Sequence, residues 1–290
     1  MWQFGKHGWA LRRAVKAVLA LMAIAAVALP GNCSVAAVPA DTQPSGSKLV
    51  LLLGANRDHP PGTHEYMSGL HILAKCLAPV GSVKTTIVNV DQPWPDGNRL
   101  IAEEADAIVL YLGEGGRWMQ TDPQRLAAIR KLAARGGGIV GLHWGIGAKD
   151  DKYVPGHLEL MGGMHGGSDR KYVVTTTQVT IVNREHPINA GLRQLRLHDE
   201  YYYQLKFAAR GKVTPLVQAD IDGKPETIAW AFERPDGGRS FGFGGMHFHD
   251  NWQQEVCRRL VAQGVLWTLK LPIPKDGLPV AIGPEDLKIR

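Results

Sequence analysis

The chain has 290 residues, 44% of them apolar and 21% charged, which fits a protein with a real core and excludes a disordered or fibrous one. Its net charge of +6 overstates its affinity for anions: four of the 33 basic residues and none of the 27 acids fall in residues 1–37, so the rest carries 29 bases against 27 acids, or +2. No Lys/Arg cluster with interleaved aromatics remains, so nucleic acid is not an expected partner.

Residues 1–37 read as a secretory signal. Lys6, Arg12, Arg13 and Lys16 make a basic start, Ala17 to Leu29 a 13-residue apolar core, and Val35 to Ala37 a small-residue cleavage site. A membrane span needs about 20 apolar residues, so the expectation is a cleaved leader, a periplasmic or secreted protein and no stable membrane anchor. A polar Pro/Ser/Gly linker follows at 38–47.

From residue 48 strands and helices alternate. "KLVLLLG" (48–54) is a continuous apolar run ending in glycine, as a buried parallel strand reads. A helix is predicted over 63–78, where Leu70, Leu73, Ala74 and Leu77 make one apolar stripe. Strands follow at 84–90 and 105–113. A helix over 121–138 has Thr121 or Asp122 to cap it, Pro123 in its first turn and glycines at its end. A fourth strand and a tight turn occupy 138–145. This alternation predicts an α/β fold, a mostly parallel sheet with helices on both faces.

The stretch 150–210 is less regular and is expected to be an insertion over the strand ends. Three further strands, at 213–220, 226–233 and 239–246, resume the sheet, a helix over 252–270 closes it, and 271–290, with four prolines, is expected as a surface tail. Cys76 and Cys257 fall on the first and last helices of this pattern. They could bridge, or remain two buried thiols.

In an open parallel sheet, ligands bind beyond the carboxyl ends of the strands. The candidates there are Asp58, His59, His64 and Glu65 after the first strand, Glu114 after the third, His143 and Trp144 after the fourth, and His247 and His249 after the last. If "FGFGGMHFH" (241–249) is a strand throughout, His247 and His249 share a face. Imidazole suits proton transfer near neutral pH and is a common metal ligand. "HDEYYYQL" (198–205) adds Asp199 and Glu200, acids able to orient a histidine or bind sugar hydroxyls, beside tyrosines able to stack on a pyranose. Read as a plain structural segment, it is a helix start followed by edge aromatics. The glycine-rich segment around His165 is expected to be a loop.

Together "LLLGANRDHPPGTHEY", "RGGGIVGLHWG", "EHPINAGL", "HDEYYYQL", "TIAWAFERPDGGRSFGFGGMHFHDNW" and "LVAQGVLW" resemble the trehalose-utilisation (ThuA-like) family, most closely its secreted bacterial members. The resemblance spans about residues 48 to 270. It implies a flavodoxin-like three-layer sandwich of the class I glutamine amidotransferase type. It also places His143 in "GLHWG" where that group carries its nucleophilic cysteine, and His249 where it carries its histidine, with Asn251 in place of the acid. Without the thiol, the thioester route of glutamine hydrolysis is closed, so an amidotransferase activity is not expected.

What the resemblance implies instead is carbohydrate metabolism linked to oxidation of disaccharides to 3-keto sugars. One reading is histidine acid/base chemistry on 3-keto glycosides such as oxidised trehalose. In it His143 and His249 are the acid/base pair, His247 a partner, Asp199 or Glu200 the orienting acid, His59, His64 and Glu65 the hydroxyl-binding groups, and Trp144 a stacking wall. A second is a non-catalytic sugar-binding module serving a partner oxidoreductase. A third is a divalent-metal hydrolase, with zinc held by His143, His247 and His249. No cofactor is required by the first two.

Overall fold

A computed structural model describes residues 46–290. The expected leader (1–37) and all but the last two residues of the expected linker lie outside the described residues. No helix among them is long and apolar enough to cross a membrane.

In chain order the first half comprises β1 (Lys48–Gly54), α1 (Tyr66–Leu77), β2 (Val83–Asn89), a short helical turn α2 (Gly97–Arg99), β3 (Ala107–Tyr111), α3 (Gly115–Thr121), α4 (Pro123–Ala134), β4 (Gly138–Leu142) and β5 (Gly147–Ala148). The second half comprises α5 (Val154–Met161), β6 (Gly163–Gly166), β7 (Lys171–Ile181), β8 (Leu195–Tyr203), β9 (Lys206–Phe207), β10 (Lys212–Ile221), β11 (Lys224–Glu233), β12 (Arg239–Phe243) and α6 (Glu255–Thr268). Nine strands form one sheet in the order β2-β1-β3-β4-β12-β11-β10-β7-β8. The first five are mutually parallel, and their order is that of flavodoxin-like sheets. The other four join antiparallel.

The apolar run of β1 is explained by its two covered faces. Val50 and Leu52 point into a core with Leu70 and Leu73 of α1 and Val261 and Val265 of α6. Leu51 and Leu53 point into a second core with Ile129 and Leu132 of α4 and Leu160 of α5. The side chains from Val50 to Leu53 are therefore withdrawn from water on both faces, which is why the strand does not alternate with polar residues. Asp122 caps α4, its side chain accepting the Gln124 N–H at 2.8 Å, with Pro123 in the first turn where no N–H is needed.

Four expectations change. Residues 150–210 do not all lie over the strand ends: β6 does, in a small sheet ordered β5-β6-β9, whereas β7 and β8 extend the main sheet at its far edge. "HDEYYY" is part of strand β8, not a helix start. The run 241–249 is not one strand, because β12 ends at Phe243 and His249 opens a 3₁₀ turn; Met246, at φ +80°, turns the chain between them. The segment 271–290 is not wholly a surface tail. Leu278 and Val280 are buried, Arg258 Nε donates to the Val280 carbonyl at 2.9 Å, and the Arg290 N–H donates to Ser68 Oγ at 2.9 Å. Cys76 and Cys257 are both buried and unbonded.

Candidate functional site

Three loops at the carboxyl ends of parallel strands bring three imidazoles into contact. His64 follows β1, His143 follows β4 and His247 follows β12. His64 Nε2 lies 2.9 Å from His143 Nε2 and 3.1 Å from His247 Nδ1, and the last two atoms are 3.1 Å apart. The first and last loops are laced by their backbones: the His64 N–H donates to the His247 carbonyl at 3.0 Å, and the His249 N–H to the Gly62 carbonyl at 2.8 Å.

The turn that carries His143 is tightly packed. His143 holds φ +46°, a left-handed conformation that costs an ordinary residue about 1–2 kcal/mol. Gly145, two residues on, lies so close to Leu110 that a side chain would strike the Leu110 carbonyl oxygen. His64 (φ +50°) and Glu114 (φ +47°) are held in the same region. Left-handed non-glycine residues thus sit at the ends of four parallel-sheet connections around one site, Met246 being the fourth.

Other groups orient the cluster. Asp58 Oδ1 accepts from His64 Nδ1 at 2.6 Å and from His59 Nδ1 at 2.9 Å, and Tyr66 donates its hydroxyl to Asp58 at 3.2 Å. Burial pushes the Asp58 carboxyl up, but these histidine contacts outweigh it and bring it down to about 2. His143 Nδ1 donates to the Gly244 carbonyl at 3.2 Å. The His143 ring is wholly buried, which, with its two histidine neighbours, holds its pKa well below the usual imidazole range. Burial and His64 bring His247 down to about 4. Neutral rings are therefore the resting state.

Strand β8 supplies the opposite wall. Glu200 and Tyr202 share one of its faces, as residues two apart must. Glu200 lies 3.9 Å from both His143 Nε2 and His247 Nδ1, and burial raises its pKa. The Tyr202 ring stacks on His143 at 4.8 Å and on His165 at 3.8 Å between centroids. Two hollows adjoin here, of about 170 and 530 Å³. His64, His165, Glu200 and Tyr202 line the smaller, Glu114, Arg117 and Trp118 the larger, and His59, Trp144 and Lys149 line both.

The remaining candidates are placed otherwise than expected. His249 is outside the cluster: its Nε2 contacts the Leu287 carbonyl at 2.8 Å, and its buried Nδ1 has no partner. His64 stands where His249 was expected, so the pairing of His143 with His249 does not occur. Asp199 orients no imidazole; it accepts the backbone N–H groups of Met246 at 2.7 Å and His247 at 3.0 Å, fixing the loop that carries His247. Glu65 is buried against Arg57 and the Gly62 N–H, both at 2.9 Å, and binds the loop rather than lining a hollow. Asn251 donates to the His198 carbonyl at 3.0 Å and touches no imidazole nitrogen. His165 sits in strand β6, not a loop. Tyr202 had no individual role in the sequence reading. Its signal was the period-two placement of Glu200 and Tyr202, legible once 198–203 is read as a strand.

The sequence model of the family described as trehalose utilisation (ThuA) matches residues 61–268. Among curated proteins, no sequence matches. A crystal structure of a ThuA-like protein from Bacteroides uniformis is similar at TM-score 0.59 and 14% identity, over 80% of this chain and 95% of that one. A protein from Salmonella typhimurium described as cytoplasmic is similar at TM-score 0.49 and 15% identity, over 77% and 97%. The glutaminase domain of Trypanosoma brucei CTPS is similar at TM-score 0.46 and 12% identity, over 80% and 98%. At 14% identity the likeness to the Bacteroides uniformis protein is one of fold.

Proposed function

The chain belongs to the trehalose-utilisation (ThuA) family, and from that premise we propose that it cleaves glycosides whose sugar ring carries a ketone at C3. Family membership supports a role in carbohydrate utilisation; the specific chemistry is argued from the site.

The observation that carries this reading is the position of Glu200. Its carboxylate lines the smaller hollow beside the imidazole cluster, and burial makes it a better base than a solvated glutamate. A C3 ketone acidifies the hydrogen on C2. Glu200 takes that proton, the electron pair forms the C1=C2 bond, and the C1–O glycosidic bond breaks. The departing oxygen takes a proton from Nε2 of His59, which acts in its doubly protonated form, lines both hollows and keeps its Nδ1–H on Asp58 at 2.9 Å; the water that adds back returns that proton. Water adding back across the double bond completes a net hydrolysis. The Trp144 wall common to both hollows suits a two-ring substrate, one sugar in each. An oxidoreductase that installs the ketone is the reaction class that must precede this one.

The test is incubation with 3-keto-trehalose in deuterated buffer, followed by proton NMR. Free glucose and deuterium at C2 of the keto sugar are expected. Saturable binding with neither product would replace this reading with that of a sugar-binding module.

A further inference from the structure

The contacts among His64 Nε2, His143 Nε2 and His247 Nδ1, all between 2.9 and 3.1 Å, cannot be a set of hydrogen bonds. A neutral imidazole has one N–H and one lone pair, each pointing along a single in-plane direction. His64 gives its proton from Nδ1 to the Asp58 carboxylate, and His143 gives its own from Nδ1 to the Gly244 carbonyl. Both Nε2 atoms therefore present bare lone pairs to each other at 2.9 Å. A proton on His247 Nδ1 can serve only one of them. The Tyr202 hydroxyl, 3.1 Å from His143 Nε2, belongs to a stacked ring and is poorly aimed at an in-plane lone pair.

We propose that these three nitrogens are the protein ligands of a divalent transition-metal ion of zinc-like preference, with a fourth position open to the hollow beside Glu200. Imidazole nitrogens at about 2.0–2.1 Å from a tetrahedral ion stand roughly 3.3 Å apart, within a few tenths of an ångström of what is seen. The chain also holds two of the rings from behind. Asp58 on His64 is the carboxylate–histidine arrangement that orients metal ligands, and the Gly244 carbonyl does the same for His143. Three protein nitrogens, one on a ring that lines an accessible hollow, with a carboxylate that lines the same hollow 3.9 Å from the other two, is the layout of an open, reactive site rather than a closed structural one. The inference deepens the glycoside-cleavage reading, since an ion there would hold a ketone oxygen and stabilise the enolate formed when Glu200 takes the C2 proton. It stands on geometry that needs no substrate.

The test is metal titration of the chelator-treated full chain with Zn²⁺ and Co²⁺, without sugar. About one equivalent bound, a raised melting temperature, and the intense visible absorption of four-coordinate cobalt are expected. His64→Gln, His143→Gln and His247→Gln should each weaken binding by more than about 100-fold, while the exposed His198→Gln should not. Less than half an equivalent at saturation, or binding that all three variants keep at full affinity, would overturn the site. Should a variant fail to fold, the cobalt spectrum of the unaltered chain still decides, because a six-coordinate spectrum also overturns it. One equivalent of metal with no release of glucose would sink the glycoside reading and leave the metal site standing.

Discussion

Asp58 Oδ1 lies 2.6 Å from His64 Nδ1 and 2.9 Å from His59 Nδ1. One carboxylate thereby holds the Nδ1–H of two imidazoles and sends the Nε2 lone pair of His64 into the buried cluster. The group that orients both rings is an acid at the rim, in the loop between β1 and α1.

Asp58→Asn tests that control. The amide fills the same space without the charge, and its NH₂ can face the ring with the wrong polarity. Turnover of keto sugar should fall about 10–100-fold with little change in KM. Steady-state kinetics beside a thermal melt would separate this from a folding defect; unchanged kcat would remove Asp58 from the orienting role.

Glu200→Gln removes the proposed base and keeps its shape. A drop in kcat of about 10²–10⁴-fold is expected, together with loss of deuterium incorporation at C2. Binding of the unreacted sugar, read by calorimetry, should survive. Retained C2 exchange would transfer the base role to another group.

His157 offers a clear pH signature. It is fully buried in α5, neither ring nitrogen has a hydrogen-bond partner, and burial alone lowers its pKa to about 3. Between the unfolded value near 6.5 and about 3, the unfolded chain binds a proton that the folded chain refuses. Stability is therefore complete above pH 6.5 and lost as pH falls through that window, on the order of 5 kcal/mol in all. His157→Leu should be close to neutral at pH 7.5. Relative to the parent, it should gain about 1.4 kcal/mol per pH unit below 6.5. Denaturant melts at pH 7.5, 5.5 and 4.5 would show the divergence; parallel curves would refute it.

Gly145→Ala probes the turn after β4. An added methyl group would meet the Leu110 carbonyl oxygen, a backbone atom that cannot swing away. A loss of about 1–3 kcal/mol is expected. Because the shift would displace His143, activity should fall by more than stability alone explains. Chemical denaturation paired with kinetics on the folded fraction checks both.

The fold was largely legible. "KLVLLLG" and "GIVGL" read as doubly buried strands because only a sheet covered on both faces calls for uninterrupted apolar runs. Asp122, Pro123 and the glycines at 136–138 bracket α4, which fills Pro123–Ala134 of the expected 121–138, because capping chemistry is local. Local pattern could not show that β7 and β8 leave the rim and extend the sheet, since partner choice between strands depends on distant surfaces. It also missed the break after Phe243. The glycines there suit a strand and a turn equally, and Met246 accepts a left-handed turn only because its carbonyl takes the Tyr111 hydroxyl at 2.6 Å and its N–H is bound by Asp199.

By itself the amino-acid order determined the family, the layered α/β architecture and the edge of the sheet on which histidines gather, because apolar period, caps and short motifs are written within a few residues of one another. Only the tertiary structure decided which of those histidines meet. Along the chain His249 reads as the partner of His143, and His64 only as a hydroxyl-binding group. Pairing of Gly62–His64 with His247–His249 then turned one ring toward His143 and the other toward the Leu287 carbonyl. Side-chain direction at irregular loops is set by hydrogen bonds between segments more than a hundred residues apart, and no local pattern records them.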